Sequence, residues 1–329
     1  MERLKSAEYY PFDKLTCQKV VRKVFNRAEV DNVQMLAGGV VNANLEISLR
    51  NPQMQLHLKV YGGEDAEIRA NKERAIYDLI AKQTNVPVPK IYLLDTSKTM
   101  VSNVVALQSS LPGVNLETVC DKLTVDEQEK IAFKMGECLG QLHTIRFDKF
   151  CEKFSEGIID DELSWNRFFL DFVERNISWC EKHGTLASNL ANAIREHILE
   201  WQELLPEDQP LVLIHKDFHS GNIKVQKNQK DNWRISGIYD FEHAIFGHNE
   251  FDFAKPHWAF FEPYPQMKEP MLLGYNSVNK LSPLFELRMD KLYRLGEITD
   301  FLVFGATQNM DSEIARNILS VKEILRRTV

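Results

Sequence analysis

Apolar and polar positions alternate with one period through the first third of this chain and with another through most of the rest. Residues 16–28 carry the spacing of a short amphipathic helix, after which Val33 to Tyr61 switches to alternation at every second residue. Leu45-Glu46-Ile47-Ser48-Leu49 and Leu56-His57-Leu58-Lys59-Val60 show it most clearly, with turns at Gly38-Gly39 before them and at Asn51-Pro52 between them. Such a run predicts an antiparallel meander. Asp65 to Gln83 returns to helical spacing, with Ile68, Ile76, Leu79 and Ile80 on one stripe and charges opposite. Val86-Pro87-Val88-Pro89 ends it, because proline lacks the N–H that a continuing helix needs. Strands are expected at 90–94 and 100–108, and Leu111-Pro112-Gly113 suits a connector.

Beyond Gly113 the period is helical, over roughly 124–145, 162–183, 188–204 and several stretches after 280. Three short apolar runs interrupt it: Leu211 to Ile214, Ile223 to Val225 and Ile235 to Tyr239, the last two flanking a polar turn at 227–232. They predict a small sheet with a hairpin inside an otherwise helical part. The expected class is therefore α+β: an antiparallel-sheet lobe with a helix over 1–107, a connector over 108–113, and a mainly helical lobe over 114–329. No repeat, low-complexity tract or long linker separates them.

With 329 residues and 44% hydrophobic content the chain can bury two modest cores. Its net charge of -7 argues against nucleic acid or an anionic membrane as partner and favours a cationic small molecule. No stretch approaches the roughly 20 apolar residues of a membrane span, and the first ten residues lack a signal-peptide pattern, so a cytoplasmic location is expected. Five cysteines, Cys17, Cys120, Cys138, Cys151 and Cys180, form no Cys-x-x-Cys pair and read as reduced packing residues. Nothing in the sequence fixes an oligomeric state.

The chemistry concentrates in His215-Lys216-Asp217-Phe218-His219-Ser220-Gly221-Asn222 and Ile238-Tyr239-Asp240-Phe241-Glu242. Asp217 follows a buried strand in a polar turn, where a carboxylate can accept the proton of an attacking hydroxyl. Asn222 opens the predicted hairpin and Asp240 closes it, so an amide oxygen and a carboxylate can converge on one hard cation, Mg2+, whose remaining shell comes from water and phosphate. Taken singly, an Asp or Asn in a turn is more often a local hydrogen-bonding residue. The spacing of all three is what points to phosphoryl transfer.

His215-x-Asp217-x-x-x-x-Asn222 followed by Ile238-Tyr239-Asp240-Phe241-Glu242 resembles the aminoglycoside phosphotransferase and choline kinase superfamily, relatives of the protein kinases. The resemblance implies a bilobal, protein-kinase-like fold, with 1–107 binding a nucleotide, ATP or GTP, and 108–113 as the hinge. Gly38, Gly39, Asn42 and Asn44 then belong to the nucleotide loop, Lys59 to the phosphates, and Glu73 to the pairing of Lys59, with Glu67 as a rival. Gln108, Ser109 and Ser110 stand in the hinge beside the base. Asp217 is implied as catalytic with His215 in its loop, Asn222 and Asp240 as metal ligands, Leu142-His143 as packing, and Asp252 as a helix-starting brace of the catalytic loop. Protein kinases carry arginine before the catalytic aspartate and glycine two residues after the metal aspartate; Lys216 and Glu242 stand here, and Gly247 follows almost at once, which points to the small-molecule branch.

The acceptor is expected to present a hydroxyl near Asp217. His219, Glu242, Trp258 and Glu262 are substrate candidates; Asp160-Asp161-Glu162, Glu269, Glu286 and Asp290 could pair with an amine. Trp258, Phe260, Phe261 and Tyr264 could cage a quaternary ammonium, although core packing is the commoner use of such residues. An aminoglycoside-like or choline-like amine, a sugar and an amino-acid hydroxyl all fit the motifs. A protein kinase and a nucleotide-binding pseudokinase are the alternatives.

Overall fold

The computed structural model describes residues 12–36, 41–147, 164–206 and 210–326. By internal packing the chain divides into two units. The first runs to Leu123 and takes in Ser220–Ala244; the second holds Thr124 to His219 and Ile245 onward, apart from a segment at 153–158. The hairpin expected in the helical part thus groups with the first unit.

The first unit begins with α1 (Lys14–Arg22), whose N-terminus is capped by Asp13 accepting from Thr16 N at 2.7 Å. The helix stops well before the expected 28. Gln18 explains why: its amide donates to Ala28 O and its carbonyl accepts from Val30 N, both at 2.8 Å, which clamps the chain as it enters β1 (Glu29–Leu36). β2 (Ala43–Asn51) and β3 (Met54–Tyr61) follow, then α2 (Ala66–Gln83), β4 (Ile91–Asp95) and β5 (Val104–Ser109). The sheet is antiparallel, in the order β1-β2-β3-β5-β4. One face buries Leu45, Ile47, Leu56, Leu58 and Leu107 against Cys17, Val20 and Val21 of α1. The other therefore carries Asn44, Glu46, His57 and Lys59, since side chains alternate across a strand. Register sets Lys59 opposite Asn44 and Ala106.

The buried face of α2 keeps Ile76 and Ile80 of the expected apolar stripe but not Ile68, which is 55% exposed; Ala66, Arg69, Ala70, Lys72, Glu73 and Tyr77 are the other buried positions. β6 (Val114–Asn115) then joins a second small sheet described below.

In the second unit, α3 (Val125–Leu142) starts with a reciprocal capping box between Thr124 and Glu127. β7 (Arg146–Phe147), α4 (Trp165–Lys182), α5 (Ser188–Trp201) and β8 (Leu211–Ile214) follow. The chain returns to the first unit for β9 (Ile223–Lys227) and β10 (Trp233–Ile238), which with β6 form a sheet in the order β10-β9-β6. It then re-enters the second unit at β11 (Ile245–Gly247), which completes a β11-β8-β7 sheet. Next come a 3-10 turn at Asn249–Phe253, α6 (Ala254–Pro256) running into a π-turn, α7 (Lys268–Asn276), and α8 (Phe285–Arg288) joined through another π-turn to α9 (Arg294–Gln308); α10 (Asp311–Arg326) ends the described chain.

Two glycines bring α3 and α7 into backbone contact. A Cβ on Gly136 would lie 2.0 Å from Met271 O, and one on Gly274 would lie 1.9 Å from Phe133 O. Trp165, Phe169, Phe251 and Tyr293 make an aromatic core in the same unit, with centroid spacings of 5.3 to 6.3 Å. No helix among the described residues is long and apolar enough to cross a membrane.

Candidate active site

Each unit holds one polar cluster built on motif residues. In the first, Lys59 Nζ lies 2.9 Å from Glu73 Oε2, 2.7 Å from Asp240 Oδ1 and 3.3 Å from Glu242 Oε2. Glu67, the rival for pairing Lys59, is exposed on α2. Glu73 is fully buried and its two oxygens are heavily used: Oε2 also accepts from Tyr61 OH, while Oε1 accepts from Tyr77 OH at 2.9 Å and Phe241 N at 3.0 Å. Asp240 adopts a left-handed backbone at φ 68°, and its N–H donates to Tyr77 OH at 3.1 Å. A non-glycine residue holds that conformation only at a cost, here offset by bonds to α2 on both sides of the peptide. Burial of Lys59 works against its charge, yet Asp240, Glu242 and Glu73 together hold its pKa well above the ordinary lysine value.

Glu242, a candidate to touch substrate, is instead buried, and its Oε2 accepts from Asn42 Nδ2 at 2.7 Å and Arg69 Nη1 at 2.9 Å. Burial raises its pKa, but Lys59, then His243 and Arg69, outweigh that and push it down to about 2. Asn42 is likewise engaged, its Oδ1 accepting from Gly62 N at 3.3 Å and Arg69 Nη1 at 3.2 Å. A glutamate at this position thus ties the segment after Asp240 to α2 and to the start of β2, a role glycine could not fill.

Magnesium fits what surrounds Asp240. Lys59 and Arg69 supply two positive charges against three carboxylates, Glu73, Asp240 and Glu242, so the buried cluster carries one negative charge in excess. Asn222 is held to the same turn, its carbonyl accepting from Tyr239 N at 3.1 Å. An amide and a carboxylate oxygen are the hard donors that magnesium takes from a protein when water and phosphate complete its shell. Among the described residues no group of three or more His, Cys, Asp and Glu side chains is placed to hold a metal ion by itself, so a cation here would draw the rest of its shell from water and phosphate.

Along the same sheet face, His57 Nε2 pairs with Asn44 Oδ1 at 3.0 Å, and Ser110 Oγ approaches Glu46 at 3.4 Å. Gln108 is buried opposite His57, and the Ser109 hydroxyl accepts from Lys90 N at 2.9 Å. Gly38 and Gly39 lie outside the described residues, as does Asp160-Asp161-Glu162.

The second cluster surrounds Asp217. Lys255 Nζ is 3.3 Å from its Oδ1 and His219 Nε2 is 3.4 Å from its Oδ2. His215 is fully buried and its Nδ1 accepts from Asp217 N at 3.3 Å. Lys216 takes a left-handed φ of 65° and sets its ammonium 4.5 Å over the Phe172 ring. Asp252 braces this loop: Oδ2 accepts from His215 N and Oδ1 from Lys216 N, both at 2.7 Å, with His143 Nε2 at 3.2 Å. It caps no helix, since it sits inside a 3-10 turn and α6 begins after Phe253. His143 is fully buried between Asp252 and Tyr275.

The acidic candidates separate. Glu262, Glu286 and Asp290 line one cavity of about 480 Å3, together with Glu323 and the apolar Phe261 and Met289, whereas Glu269 does not. Lys268 and Arg294 are its fixed cations, the former 3.0 Å from Glu286 and the latter 3.3 Å from Asp290. The aromatic cage does not form: Phe260 and Phe261 are buried, and Trp258 packs edge-on against Phe301 at 5.8 Å. Arg69, Tyr61, Tyr77, Lys255 and Glu297 were missed by sequence reasoning. For Arg69 and Tyr77 a signal existed, since each stands four residues from Glu73 on the same helix face.

Residues 32–276 match the sequence model of a family described as the phosphotransferase enzyme family. The chain is 24% identical over 250 residues to a hygromycin-B 4-O-kinase from Escherichia coli, covering 71% of this chain and 69% of that protein. Among solved structures, a thermostable mutant of aminoglycoside phosphotransferase APH(4)-Ia superposes with a TM-score of 0.70 at 17% identity, over 94% of this chain and 99% of that one. APH(2")-IIia, solved with GDP and kanamycin, gives 0.69 at 13% identity, over 96% and 100%. These likenesses are of fold.

Proposed function

Because the chain belongs to the phosphotransferase enzyme family, we propose that it transfers the terminal phosphate of a magnesium-bound ATP or GTP to a hydroxyl of a small cationic acceptor. The observation that carries this reading is the Lys59, Glu73 and Asp240 cluster with its excess negative charge. Lys59 would hold the phosphates, kept in place by Glu73, which Tyr61 and Tyr77 in turn fix. Asn222 and Asp240 would hold magnesium, which supplies charge neutralisation on the phosphates when bound. Asp217 would orient the acceptor hydroxyl and take its proton, from a loop tied down by Asp252.

The cavity lined by Glu262, Glu286, Asp290 and Glu323 supports a cationic acceptor, because four carboxylates face two fixed cations there. Glu242 speaks against a protein kinase, since the segment that follows the metal aspartate is locked to α2. The test is transfer of labelled phosphate from magnesium ATP and GTP to a panel holding hygromycin B, kanamycin, choline, ethanolamine, simple sugars and homoserine, with a protein substrate and water alongside. Transfer to an amine-bearing member, reduced by about 100- to 10,000-fold in Asp217→Asn, is expected. Transfer to polypeptide alone, or an unimpaired Asp217→Asn, would defeat the proposal.

A further inference from the structure

Lys255 does more than fill space beside the loop. It sits on α6, three residues after Asp252, so one short segment reaches the loop twice: Asp252 takes the backbone N–H groups of His215 and Lys216, and Lys255 reaches the Asp217 carboxylate itself. Glu297 on α9 approaches Lys255 Nζ at 2.6 Å and is almost fully buried. The lysine is thus a single cation between two carboxylates, 3.3 Å from one and 2.6 Å from the other. Its ammonium lies 5.9 Å from the centre of the Trp258 ring.

We infer that Lys255, braced by Glu297, is a positioning residue for phosphoryl transfer, fixing the orientation of the Asp217 carboxylate and keeping it ionised for the acceptor hydroxyl. The inference rests on the role given to Asp217 above. A carboxylate that must accept a proton in one direction gains from a cation clamped on its Oδ1, because the clamp removes rotation of the group and disfavours its protonated form. Asp217 faces Lys255 and His219, Lys255 faces Glu297, Asp217 and Asp300, and Glu297 faces Lys255, Asp300 and Lys216. Burial opposes the charge on Lys255, but Glu297 and Asp217 outweigh it and raise its pKa above the ordinary lysine value.

A structural role makes a different forecast from a positioning role. Lys255→Met alone would strand Glu297 as a buried unpaired carboxylate, so the informative variant is Lys255→Met with Glu297→Gln, which removes both charges. This double variant is expected to melt near the parent and to keep both KM values. Its kcat is expected to fall about 100-fold, and the acid limb of its kcat/KM profile to move up by about one pH unit. Lys255→Arg should restore much of the rate. Glu297→Gln alone, which leaves the lysine on Asp217, should keep most of kcat. Parental kcat in the double variant would overturn the inference, as would a Lys255→Arg variant no faster than the double variant. If Asp217→Asn is fully active, or if the parent transfers phosphate to no acceptor, water included, the underlying assignment falls and this inference with it.

Discussion

Asp252→Ala and Asp252→Asn separate the stability of the catalytic loop from its chemistry. Asp252 is 1% exposed and its oxygens accept from His215 N and Lys216 N at 2.7 Å each. A hydrogen bond to a charged acceptor contributes about 1.5–3 kcal/mol, so the two contribute about 3–6 kcal/mol, a large part of the roughly 5–15 kcal/mol that holds a domain folded. Alanine removes both acceptors and leaves His143 facing a void, so that variant is expected to be largely unfolded at ambient temperature. Asparagine keeps one carbonyl oxygen but turns an NH2 toward the second N–H, costing about half as much, roughly 1.5–3 kcal/mol. The left-handed Lys216 itself donates one of the two bonds and directly precedes Asp217, so the loop should relax around it and shift Asp217. A displacement on the order of 1 Å lowers kcat about 100-fold, while the nucleotide KM, which the proposed function assigns to Lys59, is expected to stay close to that of the parent. Urea denaturation followed by tryptophan fluorescence gives the stability, and initial rates on folded protein give kcat. An unchanged urea midpoint in Asp252→Asn, or parental kcat in its folded form, would refute this account of the brace.

Three further outcomes are expected. Glu242→Ala breaks a buried ion pair from one side and should cost about 3–5 kcal/mol; a urea midpoint within error of the parent would show that Arg69 and Asn42 do not depend on it. His248 is pushed down to about 3 by burial, with Arg288 and His143 adding to it, whereas the unfolded side chain takes a proton near the ordinary histidine value. The unfolded state then binds the extra proton, so stability is full above about pH 6.5 and falls by about 1.4 kcal/mol per pH unit as pH drops toward 3. His248→Phe should show a shallower acid decline than the parent in denaturation runs at stepped pH, and parallel profiles would contradict it. Gly274→Ala places a methyl 1.9 Å from Phe133 O and must push α3 and α7 apart, with an expected cost of about 1–3 kcal/mol or more by thermal melting; an unchanged melting temperature would mean that the helices do not pack backbone to backbone.

The chemistry of this protein is legible in its sequence to the extent that a reacting group must be of one type at one spacing. The residues we propose for it, Asp217, Asn222, Asp240, Lys59 and Glu73, all fall in that class, and the alternation of β2 and β3 is enough to put Lys59 on the polar face of its sheet. The same reasoning fails on α2, where Ile68 points outward and Arg69 and Glu73 point inward. Apolar periodicity treats a charge as a vote for solvent, but those charges are buried because their partners come from far along the chain: Arg69 meets Glu242 across 173 positions. Supporting residues are hard to read for that reason. A base must be an oxygen or nitrogen acceptor, yet what steadies it can be any cation or donor that a distant element delivers, so Lys255 and Glu297, on separate helices, leave no local mark. Glu242 shows how the two kinds of information meet. Its departure from the glycine of protein kinases is visible as an anomaly, and only its bonds to Lys59, Arg69 and Asn42 turn the anomaly into a cause: a rigid, buried anchor just past Asp240, where a flexible activation segment would otherwise begin.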